Sequence, residues 1–142
     1  MADVAVTAAN VLKSNNSATT TASGTAGATI TAGQTLYADS TDSGKLKPAS
    51  ASALASAAVV GIALHAALDE QPITYVTRDP ALVTGATMIV GTVYVASATA
   101  GGIAGDVDIL TGEFVTVLGV ASTATTLNFS VGANMQSTIA HV

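Results

Sequence analysis

A histidine with acids close behind it is the first place to look for chemistry in this chain. His65 stands four and five residues ahead of Asp69 and Glu70, a grouping that could hold a metal ion or move a proton near neutral pH. The ligand set is too thin, however. No second histidine falls at short spacing, and acids at a polar turn are ordinarily just solvated. His141 has no acid near it in sequence. Asp106 and Asp108 could touch a cation, yet the glycine and glutamate spacing of a calcium loop is missing. Serine and threonine are abundant, but there is no Gly-x-Ser-x-Gly elbow, so none is set up as a nucleophile. Gly24-Thr25-Ala26-Gly27 and Gly101-Gly102 lack the Lys-Ser or Lys-Thr that completes a phosphate-binding loop, and turns account for them better. Asn15-Asn16-Ser17 and Asn128-Phe129-Ser130 fit the glycosylation pattern, which matters only to a secreted chain. Without cysteine there is neither a disulfide framework nor a thiolate site. The expectation is a protein that is not an enzyme and uses no metal and no cofactor.

Composition narrows the class further. Only 9% of the 142 residues are charged, against about 25% in an ordinary soluble domain. The net charge is −5 and the basic residues are Lys13, Lys45, Lys47 and Arg78 alone, which argues against a nucleic-acid partner. At 49% apolar the chain can still build a core. A surface of Thr, Ser and Ala has little charge repulsion and little side-chain entropy to lose, so it suits contact with other protein. Met1-Ala2-Asp3-Val4 begins with an acid and no apolar run follows, unlike a secretory signal. The stretch from Ala49 to Leu68 carries no formal charge, but Ser50, Ser52, Ser56, Gly61 and His65 interrupt it. It is also at the short end of the spanning range, so no membrane span is expected.

An internal duplication organises the rest. Sliding the chain on itself by 58 residues lays Ala28-Thr29-Ile30-Thr31-Ala32-Gly33 on Ala86-Thr87-Met88-Ile89-Val90-Gly91. Leu36-Tyr37-Ala38 meets Tyr94-Val95-Ala96, and Val59-Val60-Gly61-Ile62-Ala63 meets Val117-Leu118-Gly119-Val120-Ala121 at the same offset. After a shorter loop, Ile73-Thr74-Tyr75 is matched by Leu127-Asn128-Phe129. The halves run over about 28–77 and 86–131, within one β domain at 28–142.

Strands are expected at 28–30, 34–38, 59–64, 73–77, 87–90, 92–97, 114–121 and 126–131, from β-branched content and apolar–polar alternation. The Ala-rich run 49–58 has the composition of one short helix. Arg78-Asp79-Pro80 reads as a turn. The fold class is therefore all-β, a compact sandwich or barrel built from a duplicated strand unit. Residues 1–27 read as an N-terminal arm followed by a Ser/Thr/Ala/Gly linker. Within the arm, Asp3, Val4, Ala5, Val6 and Thr7 alternate like a short strand, and with Val11 they form the candidate gripping segment. The charge-free stretch from Phe114 to Val131 is the second candidate, as core or as interface.

The run from Ala26 to Tyr37, followed by Ala58-Val59-Val60-Gly61-Ile62-Ala63, resembles the small head decoration proteins of tailed bacteriophages, also called capsid cement proteins. Gly91-Thr92-Val93-Tyr94-Val95 and Val117-Leu118-Gly119-Val120-Ala121 extend the likeness, which covers roughly residues 26–131 and rests on strand and turn patterns. It implies a virion protein made in the host cytoplasm and bound in many copies to the outer surface of the capsid. Its partners would be the major capsid protein and further copies of itself, a trimer being favoured. A head fibre, spike base or tail-associated protein is the alternative among structural proteins. A carbohydrate-binding β-sandwich is the alternative from another class; its sugar-stacking aromatics would have to come from Tyr37, Tyr75, Tyr94, Phe114 and Phe129, which read as core.

Overall fold

Short runs rich in Val, Thr, Ile and Leu, separated by glycines and acids, make nine strands in this computed structural model, which describes residues 3–131, 136, 137 and 139–142. They are β1 (Thr20–Thr25), β2 (Thr35–Asp39), β3 (Lys45–Pro48), β4 (Val59–Ala63), β5 (Pro72–Val83), β6 (Val93–Ala96), β7 (Ile103–Gly105), β8 (Val117–Ala121) and β9 (Thr126–Ser130). The chain is all-β: one antiparallel sheet curled into a half-barrel. Its order is β3-β2-β4-β5-β9-β8-β6-β7, and β1 lies off this path, paired with β5.

The order reads as two four-strand units meeting at β5 and β9, and their registers repeat at the 58-residue spacing. Leu36 pairs with Gly61 and Tyr37 with Val59 across a bulge. Tyr94 pairs with Gly119 and Val95 with Val117 across a bulge at the same place. Gly61 and Gly119 occupy matching positions for one steric reason: a Cβ on either would collide with a carbonyl oxygen of the next strand, that of Val76 or of Asn128.

The larger hydrophobic cluster draws on both units. Val59, Ile62, Val76 and Leu82 pack with Tyr94, Ile103, Leu118, Leu127 and Phe129. A smaller one, with Ile30, Leu36, Leu46 and Ile73, belongs to the first unit. In β9 the inward residues Leu127 and Phe129 alternate with Thr126, Asn128 and Ser130, as a strand with one wet face requires. In β5 the buried positions are Ile73, Val76, Asp79 and Leu82; the pairing with β1 skips Thr77 and the register with β9 slips between Asp79 and Leu82, which breaks strict alternation over the second half of the strand.

Several sequence expectations are corrected. Arg78-Asp79-Pro80 is part of β5: a bulge needs no ladder donor at Pro80, so proline is tolerated there. The run 49–58 is a series of turns without a helix. Ala49, Ala51 and Ala57 are fully packed, and the backbone of Ala51 bonds to Ser97 and Phe114. Small side chains there let loops approach closely, which overrides helix propensity. Residues 87–89 are irregular and lead into a turn at Val90 and Gly91, and 28–30 contribute only the bridge of Ile30 to Ala67. The segment read as a flexible linker contains β1, which pairs with β5 from Thr20 to Thr25. Among the described residues the only helical pieces are single 3-10 turns at Ala8–Asn10, Ser40–Asp42 and Asp106–Asp108, and no helix is long and apolar enough to cross a membrane.

The collision at Gly119 sets a test. Gly119→Ala is expected to lower the unfolding free energy by about 3 kcal/mol or more. Gly44→Ala, also at a positive φ but in open space, is expected to cost about 1 kcal/mol. Urea melts of the two variants check the contrast.

Candidate interaction surface

The N-terminal arm is laid along the half-barrel. Asp3 bridges Ala104 at the edge of β7, and the Val4 amide donates to the Ile103 carbonyl at 2.9 Å. The Asp3 carboxylate accepts from the Ser97 hydroxyl at 2.5 Å. Val6 and Val11 close over Gly33, which lies at φ 90°; a Cβ at Gly33 would overlap both. The Thr7 amide donates to Gly85 at 2.8 Å, and Leu12 exchanges two bonds of 3.0 Å with Val83. β1 then continues down the same strand to Pro72.

The alternation seen in the sequence thus divides the six candidate residues. Val4, Val6 and Val11 are half-buried against their own domain, whereas Asp3, Ala5 and Thr7 are exposed. The Thr7 side chain makes no capping bond to the 3-10 turn that follows it.

One buried acid fastens the arm. Asp79 is fully inaccessible, yet its carboxylate has four donors: the Ser14 amide at 2.6 Å, the Ser14 hydroxyl, the Thr19 hydroxyl at 3.1 Å and the Ala81 amide at 3.0 Å. Burial pushes its pKa up, but these hydrogen bonds outweigh that and hold the carboxyl below the usual carboxylate range. Sequence reading missed this residue by assigning it to a turn. The available signal was an acid beside a proline in a strand-like run, facing a Ser/Thr-rich segment that could solvate it.

The remaining charges have structural partners or lie apart. Lys47 meets Asp39 at 2.7 Å and Asp42 at 3.2 Å, and Lys45 reaches Asp42 at 3.7 Å and also Glu70. The Lys47 ammonium, helped by the hydroxyl and amide of Thr41, lowers Asp39 to about 2. Its partners raise Lys47 in turn. His65 accepts from the Thr74 amide through Nε2 at 3.0 Å, which leaves the ring proton on Nδ1, 2.9 Å from the Ala66 carbonyl. That bond ties the β4–β5 connection and leaves Asp69 and Glu70 out of it. Among the described residues no three of His, Asp and Glu gather closely enough to hold a metal.

The charge-free stretch from Phe114 to Val131 resolves into β8, β9 and their connection. Leu118, Ala121, Leu127 and Phe129 are core, and Val120, 42% exposed, is its one large outward aliphatic. Tyr94 and Phe129 are buried, while Tyr37, Tyr75 and Phe114 are half-buried.

Neither a family model, a curated protein nor a solved structure corresponds to this chain. The surface must therefore be read from its own chemistry. Its large exposed aliphatics include Leu12, Ile89, Val90, Val107 and Ile139.

Removing the Asp79 carboxylate as Asp79→Ala is expected to cost about 3 kcal/mol at neutral pH, since bonds to a charged acceptor are lost and their donors stranded. The sign follows from the lowered pKa. The stabilisation is complete above the unfolded value near pH ~4 and is lost as pH falls through the folded value. Denaturant melts of both proteins at neutral and acid pH should show the gap between them narrowing in acid; a constant gap would deny Asp79 this role.

Proposed function

We propose that this chain is a structural virion protein that binds the outer surface of a phage capsid in many copies and braces the shell against the pressure of packaged DNA. The observation that carries the reading is the exterior: few charges, a coat of Thr, Ser and Ala, and large aliphatics held in water, Ile89 at 72% and Val107 at 87% exposure. Such a surface favours protein contact. The resemblance to decoration proteins supplies the kind of partner, the major capsid protein. Binding at many equivalent sites lets weak individual contacts hold through avidity.

The gripping residues in this reading are the outward ones of the arm. Ala5 and Thr7 face away from the half-barrel, while Asp3, bonded to Ser97, and Val4, Val6 and Val11 anchor the ribbon that presents them. The arm is a ridge fixed on the domain, so attachment need not wait for a disordered tail to fold.

Mixing the full chain with undecorated, expanded heads of the parent phage and pelleting the heads tests this. Saturable binding, with cryo-microscopy placing density at symmetry-related positions over the whole shell, is the expected result. Ala5→Asp with Thr7→Asp should weaken attachment at least about tenfold while leaving the melting temperature unchanged. Absence of binding, or density at a single vertex only, would remove the cement role in favour of a fibre or tail component.

A further inference from the structure

A sheet edge left bare invites another chain, and two of the three outer strands here are guarded. β3 carries Lys45, Lys47 and Pro48, and the outer side of β7 is met by Asp3 and Val4 of the arm. β1 has neither device. Its sequence, Thr-Thr-Ala-Ser-Gly-Thr, holds no charge and no proline, and five of its six residues are exposed. Among the described residues its one partner strand is β5. The ladder fixes which backbone groups are left over. The Ala26 amide donates to Gln71 and its carbonyl accepts from Glu70, both on the β5 side, while the Gly27 amide turns the other way to the Leu46 carbonyl of β3. Alternation back along the strand aims Ala22 and Gly24 at β5, and Thr21 and Ser23 outward. Those two residues present a row of donors and acceptors with no strand beside them. The row leads into a recess of about 440 Å³, with Gly24 and Thr25 on one wall and Ser43, Gly44, Lys45 and Glu70 on the other. Just beyond it Ala26 bridges Leu46 in parallel and closes the gap between β1 and β3.

We infer that the outer edge of β1 binds an extended segment of another protein, a loop or terminus that adds one strand to the sheet and places a side chain in this recess. Peptide donors and acceptors at strand spacing are matched by another extended backbone. The recess selects a lone strand. β1 of a second copy already has β5 on its far side, and at the Gly24 end the β2–β3 hairpin stands where that neighbour would have to lie. The described ends of this chain are engaged elsewhere: Val4 and Leu12 with Ile103 and Val83, Ser137 and His141 with Val115 and Glu113. The site is separate from the arm ridge and does not depend on the capsid reading.

Amide NMR on the full chain tests the inference. In the free chain Thr21 and Ser23 should exchange at least about tenfold faster than Ala22 and Gly24. The probe is a capped hexapeptide of alternating Thr and Val, N-methylated at its valines so that one edge is blocked and it cannot stack on itself. It should bind with a dissociation constant below about 1 mM, shift the Thr21 and Ser23 resonances and slow their exchange. The same peptide methylated at every residue should leave them unmoved. Ser23→Pro removes an outward donor, and Ser23→Lys adds the charge that guards β3. Each should weaken the probe at least about fivefold with the melting temperature unchanged. If the proline lowers the melting temperature, the lysine variant and the fully methylated peptide decide. Equal protection of the four amides in the free chain at every concentration overturns the inference, as does a probe that shifts nothing at about 1 mM. Protection of Thr21 and Ser23 that grows with chain concentration gives the edge to a second copy and overturns the lone segment as its occupant.

Discussion

β5 is the strand on which the other elements converge. Its twelve residues pair with β1 and β4 over the first part and with β9 over the second, while Leu12 adds a bridge at Val83. The β5–β9 pairing joins the two four-strand units into one sheet, with the bonds of Ala51 to Ser97 and Phe114 as a second link, and the cluster containing Val76, Leu82, Leu118 and Phe129 spans the junction. The bulge between Asp79 and Leu82 lets one strand serve neighbours of different register. It also turns a carboxylate inward, and the arm supplies the donors that make this burial tolerable.

The distribution of charge follows from the same economy. Most ionised groups sit in the Asp39–Asp42–Lys45–Lys47–Glu70 network at the β2–β3 hairpin or, like Asp79, inside. The network screens the edge strand β3, whose lysines and Pro48 discourage further pairing. The rest of the exterior is left neutral and small-featured, with the arm ridge and the bare Ile89–Val107 groove as its relief.

What could be read in the sequence depended on repetition and alternation. β2, β4, β6, β8 and β9 were legible because β-branched residues and matching glycines recur at one spacing. β1 was not, because Thr, Ser and Gly look like a linker until a partner edge is present; its stability lies in pairing rather than in propensity. β3 and β7 are too short to show a period, and β3 is disguised by its lysines. The Ala run misled because alanine favours a helix and close backbone packing alike, and only tertiary contact decides between them. In the arm, the alternation of Asp3 to Thr7 was legible. That its valines face their own domain was not, since the receiving surface at Gly33 is built by distant residues.

The architecture requires the arm and β1 to be part of the sheet rather than a tail awaiting a partner. Amide hydrogen exchange on the free chain measures this directly. The amides of Val4, Thr7, Leu12 and Ser14 each donate into the domain, to Ile103, Gly85, Val83 and Asp79. They should exchange about as slowly as those of Ala22 and Gly24 in β1, and all of them should quicken in Asp79→Ala. Exchange of these four amides at the rate of an unstructured chain, with the rest of the sheet protected, would contradict the arm's place in the fold.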